Sequence, residues 1–282
     1  MIWMTLSLAL LLAFGLALHG LRQLDLRAEA AVWKQLLERA GPNEGLYDPQ
    51  MVASLPEPAQ RYFNFMIRAG TPLFRVIDIQ MEGTIGFGSK DAPNEKPMSA
   101  KQILAPPYGL VWSLKSGVVG GSDVATTETS WTRFWLLSVI PLVRASNPDH
   151  RRAAFGRVVV EAAAWVPATL LPSDHVHWEA IDDNRSKAIV RFGDFTQAVN
   201  ITVDKSGAPR TVMIQRWTDA NPDKVFRQQP FGGHLSEFVA FDGYRLPTRI
   251  EVGNHFGTDD YFPFLKARIT QASFPQKGIA QA

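Results

Sequence analysis

Apolar residues run without a charge from Met1 to Leu18, reading IWMTLSLALLLAFGLAL after the initiator. A helix from Ile2 to about Leu21 gains ~1.5 Å per residue and is ~30 Å long, enough to cross a hydrocarbon core. No later apolar run approaches that length. The flank from His19 to Arg39 stays in helical register, with Leu21, Leu24, Ala28, Ala31, Val32 and Leu36 near one stripe, so the helix is expected to continue as a stalk. Gly41-Pro42-Asn43-Glu44-Gly45 ends it, because Gly and Pro stop helices and favour turns. Asp48-Pro49 opens a short helix, with Asp as N-cap and Pro at the first helical position. Past Leu55-Pro56-Glu57-Pro58 a second helix is predicted from about Glu57 to Ala69, with Tyr62, Phe65 and Met66 on one stripe.

From Leu73 the period changes to two. Phe74, Val76, Asp78, Gln80 and Glu82 alternate with Arg75, Ile77, Ile79 and Met81, which is the repeat of a strand. Further strands are predicted at 98–104, 110–115 and 126–133, and a run over 136–143 is broken by Pro141. Asn147-Pro148-Asp149 starts one long internal helix to about Trp165. On it Phe155, Val158, Val159, Ala162 and Val166 share a face that must pack on something. Beyond Pro167 and Pro172 comes a meander: 175–181 turns at Asp182-Asp183-Asn184 into 187–192, and 195–203 turns at Asp204-Lys205-Ser206-Gly207 into 210–218. The run 235–241 turns at Asp242-Gly243 into 244–252, and a last strand covers 262–272. Asp-Gly between alternating runs is a strong hairpin signal.

The expected fold is α+β and mostly β: an antiparallel half-barrel of about eleven strands covered by helix 149–165, preceded by a transmembrane helix and short helices. The expected divisions are an anchor (1–21), a helical stalk and linker (22–45), short helices (46–72), the half-barrel domain (73–275) and a tail (276–282).

Two fates fit the N-terminal run. A secretory signal has a basic n-region, a shorter apolar core and small residues before the cut. Here only the α-amino group is positive, while Gly15-Leu16-Ala17 resembles a weak cleavage site. The helical continuation favours a retained single-pass anchor in the cytoplasmic (inner) membrane. Arg22, Arg27, Lys34 and Arg39 follow the span, which by the positive-inside rule favours a cytoplasmic domain; a cleaved signal would reverse that, so the sequence leaves the side open. The absence of cysteine excludes a lipidated lipoprotein and fits either compartment.

Composition narrows the function classes. A net charge of +2, with basic and acidic residues interspersed, lacks the concentrated basic face that nucleic acid requires. The densest group, Arg144 with His150-Arg151-Arg152 and Arg157, reads as a solvated helix start. Eight Trp and 17 Phe are a heavy aromatic load.

Two segments resemble an uncharacterised bacterial family of membrane-anchored proteins: Leu55-Pro56-Glu57-Pro58-Ala59-Gln60-Arg61-Tyr62-Phe63, and Glu161-Ala162-Ala163-Ala164-Trp165-Val166-Pro167-Ala168-Thr169-Leu170-Leu171-Pro172-Ser173 with the strand after it. That family, a domain of unknown function, carries no activity to transfer. The strand order, with an Asp-Gly hairpin leading into Tyr244-Arg245-Leu246-Pro247-Thr248, is similar in architecture to the lipoprotein carriers of the bacterial envelope (LolA and LolB). That resemblance implies an open half-barrel whose aromatic-rich face shelters acyl chains; fold alone does not give function.

Enzyme signatures are mostly absent: the chain has no GxSxG, HExxH or Walker loop and no cysteine nucleophile. Gly83-Thr84-Ile85-Gly86-Phe87-Gly88 reads as a bent strand or bulge. His175 and His177 face one side of a predicted strand and, with Asp174 or Glu179, could hold a metal. No other motif-spaced ligand supports this, so no metal or cofactor is expected. Arg157 and Glu161 form an i, i+4 helix pair. Its simpler reading is a surface ion pair; its functional reading is a carboxylate at the mouth of an apolar cavity.

The aromatics carry the functional expectation. One helix cannot fill so wide a sheet, so the surplus apolar face forms a pocket or packs on a partner. The residues expected to line a ligand site are Trp112, Trp131, Trp135, Arg157, Glu161, Trp165, Trp178 and Phe192. The expected protein binds or shuttles a lipid or acylated molecule, tethered to the bilayer through residues 2–21. The alternatives are an interaction module for a membrane or envelope protein, and an unrecognised hydrolase or metal enzyme built on Glu161, His175 and His177.

Overall fold

The computed structural model describes residues 2–40 and 45–275. Residues 41–44 of the expected turn after the stalk, and the tail 276–282, lie outside them. Helix α1 (Ile2–Leu37) runs unbroken through the apolar stretch and its polar flank. A 3-10 turn (Pro49–Val52), capped by the Asp48 side chain, leads to helix α2 (Glu57–Met66). The expected helix to Ala69 is shorter because Ile67 is extended, at φ −129° and ψ 119°, and bridges to Tyr244.

The strands are β1 (Ile77–Gly86), β2 (Glu95–Ala105), β3 (Gly109–Ser116), β4 (Val119–Thr126), β5 (Ser130–Leu136) and β6 (Ile140–Ala145). After helix α3 (Pro148–Trp165) come β7 (Val176–Asp182), β8 (Arg185–Phe192), β9 (Phe195–Val203), β10 (Pro209–Thr218), β11 (Arg227–Phe241), β12 (Tyr244–Asn254) and β13 (Phe262–Ser273). They form one antiparallel sheet in the order β6-β5-β4-β3-β2-β1-β13-β12-β11-β10-β9-β8-β7. Two meanders, β1–β6 and β7–β13, are thus sewn together where β1 pairs with β13. The sheet stays open, as expected of a half-barrel, with β6 and β7 as its edges.

Among the described residues there are thirteen strands, against the expected eleven or so. The run 126–133 is not one strand; it turns between β4 and β5, where the Thr129 carbonyl accepts from the Thr126 N–H. The run 136–143 likewise folds back between β5 and β6. Strand β4 is not among the expected strands, and it carries Gly120 and Gly121. A Cβ on Gly121 would stand 2.0 Å from the Arg133 carbonyl oxygen, so the close pairing of β4 with β5 requires glycine there.

Helix α3 lies on the inner face of the sheet, chiefly against β9 and β10. Asn147 caps it by accepting from the His150 N–H. The expected apolar stripe is buried, but so are Ala154, Val160, Ala163 and Ala164 on its other sides. A helix enclosed by a curling sheet buries more than one face, and here Arg152 in its first turns stays exposed. The two distinctive sequence segments meet here: the Tyr62 hydroxyl donates to the Ala163 carbonyl at 2.8 Å. Arg61 beside it donates to the Asp204 carbonyl and to the Asn184 side chain, clasping two turns of the second meander. Gly207 follows with φ +89°, its back against the Arg61 carbonyl. Tyr62, Phe63 and Trp178 pack ring to ring, filling this end of the barrel.

The other face of the sheet receives α1. Val32, Leu36 and Ala40 pack on Val76, Ile103, Val111, Val124 and Trp131. Leu24 and Ala31, expected on the same stripe, are exposed. The stripe passes instead through Asp25, which is 4 % exposed. Arg133 and Arg144 both donate to its carboxylate, as does the Trp135 indole N–H at 3.0 Å. Burial alone would raise the Asp25 pKa, but these donors, Arg144 foremost, bring it below the ordinary carboxylate value.

Candidate functional site

The space between α3 and the sheet is solid at the Tyr62–Trp178 end and hollow elsewhere. A cavity of about 860 Å³ lies between α3, the first meander and strands β10–β13. Strand parity builds its walls: Trp112 and Leu114 alternate on the inner face of β3, Phe134 follows on β5, and Phe231, Val252 and Leu265 face them from β11, β12 and β13. Its volume falls within the range of about 300–1,000 Å³ typical of ligand sites, which are mostly apolar with a few placed polar groups.

Here the polar groups stand along α3. Arg157 donates through Nε to Glu161 at 2.6 Å, through Nη1 to Asp123 at 3.0 Å and through Nη2 to the Gln102 side-chain oxygen at 3.4 Å. Gln102 closes the circuit by donating to the second Glu161 oxygen at 2.6 Å. The guanidinium carbon sits 4.8 Å from the Trp112 ring centroid. Burial opposes its charge, but the Glu161 and Asp123 carboxylates outweigh that and raise its pKa. One cation against two carboxylates leaves a negative charge, which Arg216 faces from β10.

Arg216 makes no hydrogen bond or ion pair among the described residues; its Nε is buried without an acceptor, and its guanidinium lies over the Phe231 ring at 4.8 Å. Burial, and then the nearby Arg157, pull its pKa down to about 10, so it stays charged at neutral pH. His150 is held between Ser130 and Thr132 at 2.8 and 2.9 Å. Burial lowers its pKa, with Asp123 opposing and Arg216 assisting.

Of the residues expected at the site, the structure brings four together. Trp112, Arg157 and Glu161 line the cavity, and Trp165 joins them around an inner extension of about 40 Å³. Arg157 and Glu161 are no surface pair, since each side chain is only 15 % exposed. Trp131 and Trp135 lie on the opposite face of the sheet under α1. Trp178 is in the solid end, donating to the Leu170 carbonyl. Phe192 lines a separate hollow of about 420 Å³ with Tyr108 and the exposed His175. Sequence reasoning missed Gln102, Asp123 and Arg216. Each is a polar residue in the inward phase of a strand, as Arg216 follows Val212 and Ile214; that phase was the available signal. Arg144 and Arg157, grouped as one basic surface, point to opposite faces of the sheet.

A model of a family of unknown function, DUF6544, matches residues 45–267. No curated protein matches the chain. Among solved structures, a LolA superfamily protein from Nitrosomonas europaea is 13 % identical with a TM-score of 0.41, covering 77 % of this chain and 91 % of its own. A DUF1329 family protein from Desulfovibrio piger is 10 % identical with a TM-score of 0.43, covering 79 % and 92 %. A Vibrio parahaemolyticus domain assigned provisionally to outer membrane lipoprotein sorting is 9 % identical with a TM-score of 0.42, covering 73 % and 87 %.

Proposed function

The chain belongs to the DUF6544 family, and from that premise we propose that it is a membrane-anchored binding protein for an apolar ligand, a lipid or acylated molecule. The observation that carries this is the cavity of about 860 Å³, walled mostly by apolar side chains, with Arg157 and Glu161 of α3 and Asp123 and Arg216 of the sheet gathered as a polar cluster and Lys96 and Ser116 also in its lining. A chain lies along Leu114, Phe134, Val252 and Leu265. The ligand's polar end, an acceptor such as a carboxylate, phosphate or ester oxygen, meets Arg216, whose donors the protein leaves unused. Burying ten methylenes contributes about 8 kcal/mol at ~0.8 kcal/mol each. That is comparable to the ~4–15 kcal/mol lost on association, so the chain gives reversible affinity and the polar end sets orientation. No bond need be made or broken.

Residues 2–21 serve as a single-pass anchor in the inner membrane, supported by a helix long and apolar enough to cross, and 22–37 as the stalk. Docking of α1 on the sheet supports retention over cleavage, because the span and its flank form one helix. The test is mass spectrometry of lipid extracted from the full chain purified in detergent, together with displacement of a fluorescent fatty acid. Stoichiometric lipid and saturable displacement are expected. An empty cavity and no displacement would overturn the reading and leave a protein-docking role for the sheet.

A further inference from the structure

We propose that the tips of the β3–β4 and β5–β6 hairpins dip into the headgroup layer of the bilayer that α1 crosses, so that the cavity opens onto lipid. The inference rests on α1 being a retained anchor. Direction along α1 is fixed by its contacts. The Arg39 guanidinium lies over Tyr108, next to the start of β3. Val32 and Leu36 pack at the level of Trp131 and Val124, and Asp25 binds Trp135 at the far end of β5. Arg22 shares a surface cleft with Gly120, Gly121 and Ser138, so it stands level with the β5–β6 turn. The next residues toward the N-terminus carry no charge after His19. From Arg22 to Leu18 is only ~6 Å of helix rise. The apolar span therefore leaves the domain beside these tips.

The tips are built for such a surface. Val118, Leu137, Val139 and Ile140 are each about half exposed or more, Leu137 at 63 %, and the segment 134–143 holds no charge. The Leu137 N–H donates to the Val118 carbonyl, placing the two tips side by side. Leu137 and Ser138 sit at φ 51° and 60°, the turn conformation that Asn-Gly adopts at least cost. A bulky, exposed leucine in that conformation is disfavoured twice, by its backbone and by water; a lipid surface removes the second cost. Val118 also borders the cavity, as do Leu142 and Val143 of the neighbouring strand, so apolar surface continues from the tips into the cavity.

The chain has no cysteine, so single labels can be placed on the full-length protein. Val118→Cys, Leu137→Cys and Val139→Cys would carry an environment-sensitive fluorophore, with Glu128→Cys at the opposite end of β4 and β5 as control. The proteins are placed in phosphatidylcholine–phosphatidylglycerol nanodiscs containing phosphatidylcholine with a nitroxide near the glycerol end of its acyl chain. Quenching at the three tips at least about twofold stronger than at 128 is expected for insertion to headgroup depth; equal quenching at all four positions would overturn the proposal. Leu137→Asn suits the turn and should fold; in that background quenching at 118 is expected to fall, and no fall would count against the proposal. Lipid extracted from the same discs tests the cavity separately. Quenched tips over an empty cavity would keep the docking surface and lose the ligand; unquenched tips with a filled cavity would do the reverse.

Discussion

Replacing Asp25 with alanine removes the buried carboxylate that hydrogen-bonds α1 to the sheet. The carboxylate is 5 % exposed, while its partners Arg133 and Arg144 are 24 % and 34 % exposed. Truncation leaves the Trp135 N–H buried without an acceptor, which costs about 1–2 kcal/mol. Breaking a fully buried pair costs ~3–5 kcal/mol, but both arginines can rehydrate, so their share is nearer 1–2 kcal/mol. The sum is about 3 kcal/mol, or roughly 6–12 °C in the melting midpoint if docking and folding are one transition for a domain this size. The assay is thermal unfolding of the full chain in detergent, followed by Trp fluorescence, with limited proteolysis around residues 38–45 to detect undocking without unfolding. Asp25→Asn keeps one acceptor and should fall between. The folded pKa of Asp25 lies below its ordinary value of 3.8. The contribution is therefore complete above pH 3.8 and is lost as pH falls through the folded value. An Asp25→Ala protein with the wild-type midpoint and protease resistance would refute the view that this contact fixes α1.

Three further outcomes follow from the cavity wall and from His150 near it. Arg157→Leu leaves Asp123 and Glu161 without the cation that hydrogen-bonds both, with Arg216 alone facing them, and a loss of about 3 kcal/mol is expected in urea unfolding, against about 1 for Glu161→Gln. Val252→Trp should abolish uptake of a fluorescent fatty acid while leaving the midpoint nearly unchanged, because the ring enters empty space; unchanged uptake would place the ligand elsewhere. His150 has a folded pKa below its ordinary 6.5, so the unfolded chain takes up the proton first. Stability should drop as pH falls below about 6.5 and level off at the folded pKa, and His150→Gln should flatten that limb in melts between pH 7.5 and 5.

Much of the fold was legible because it is local. The meander β7–β13 is written in period-two alternation and in turns such as Asp242-Gly243, whose glycine has φ +93°. Strand β4 was not, since Gly120 and Gly121 depress strand propensity and their reason is the carbonyl of a neighbouring strand. The cavity wall was legible only in part. Arg157 and Glu161 are four apart and visible as a pair. Their burial depends on Gln102 and Asp123, delivered from β2 and β4 by long-range pairing. Asp25 was hidden for a related reason: a carboxylate in an apolar stripe reads as solvated until two arginines arrive from β5 and β6. Trp131 and Trp135 share a strand phase, so their common face was readable, but which face it is depends on where α1 docks.

The clasp of Arg61 and Tyr62 on α3 and the distant turns has a wider consequence. It gathers the tight aromatic packing into one half of the barrel and leaves the apolar wall of the other half with little structural duty. Apolar residues around the hollow, unlike the Arg157 network, can then be exchanged for larger or smaller ones with little effect on folding. Such a scaffold separates what keeps it standing from what it selects, and the length of chain it accepts becomes a tunable trait.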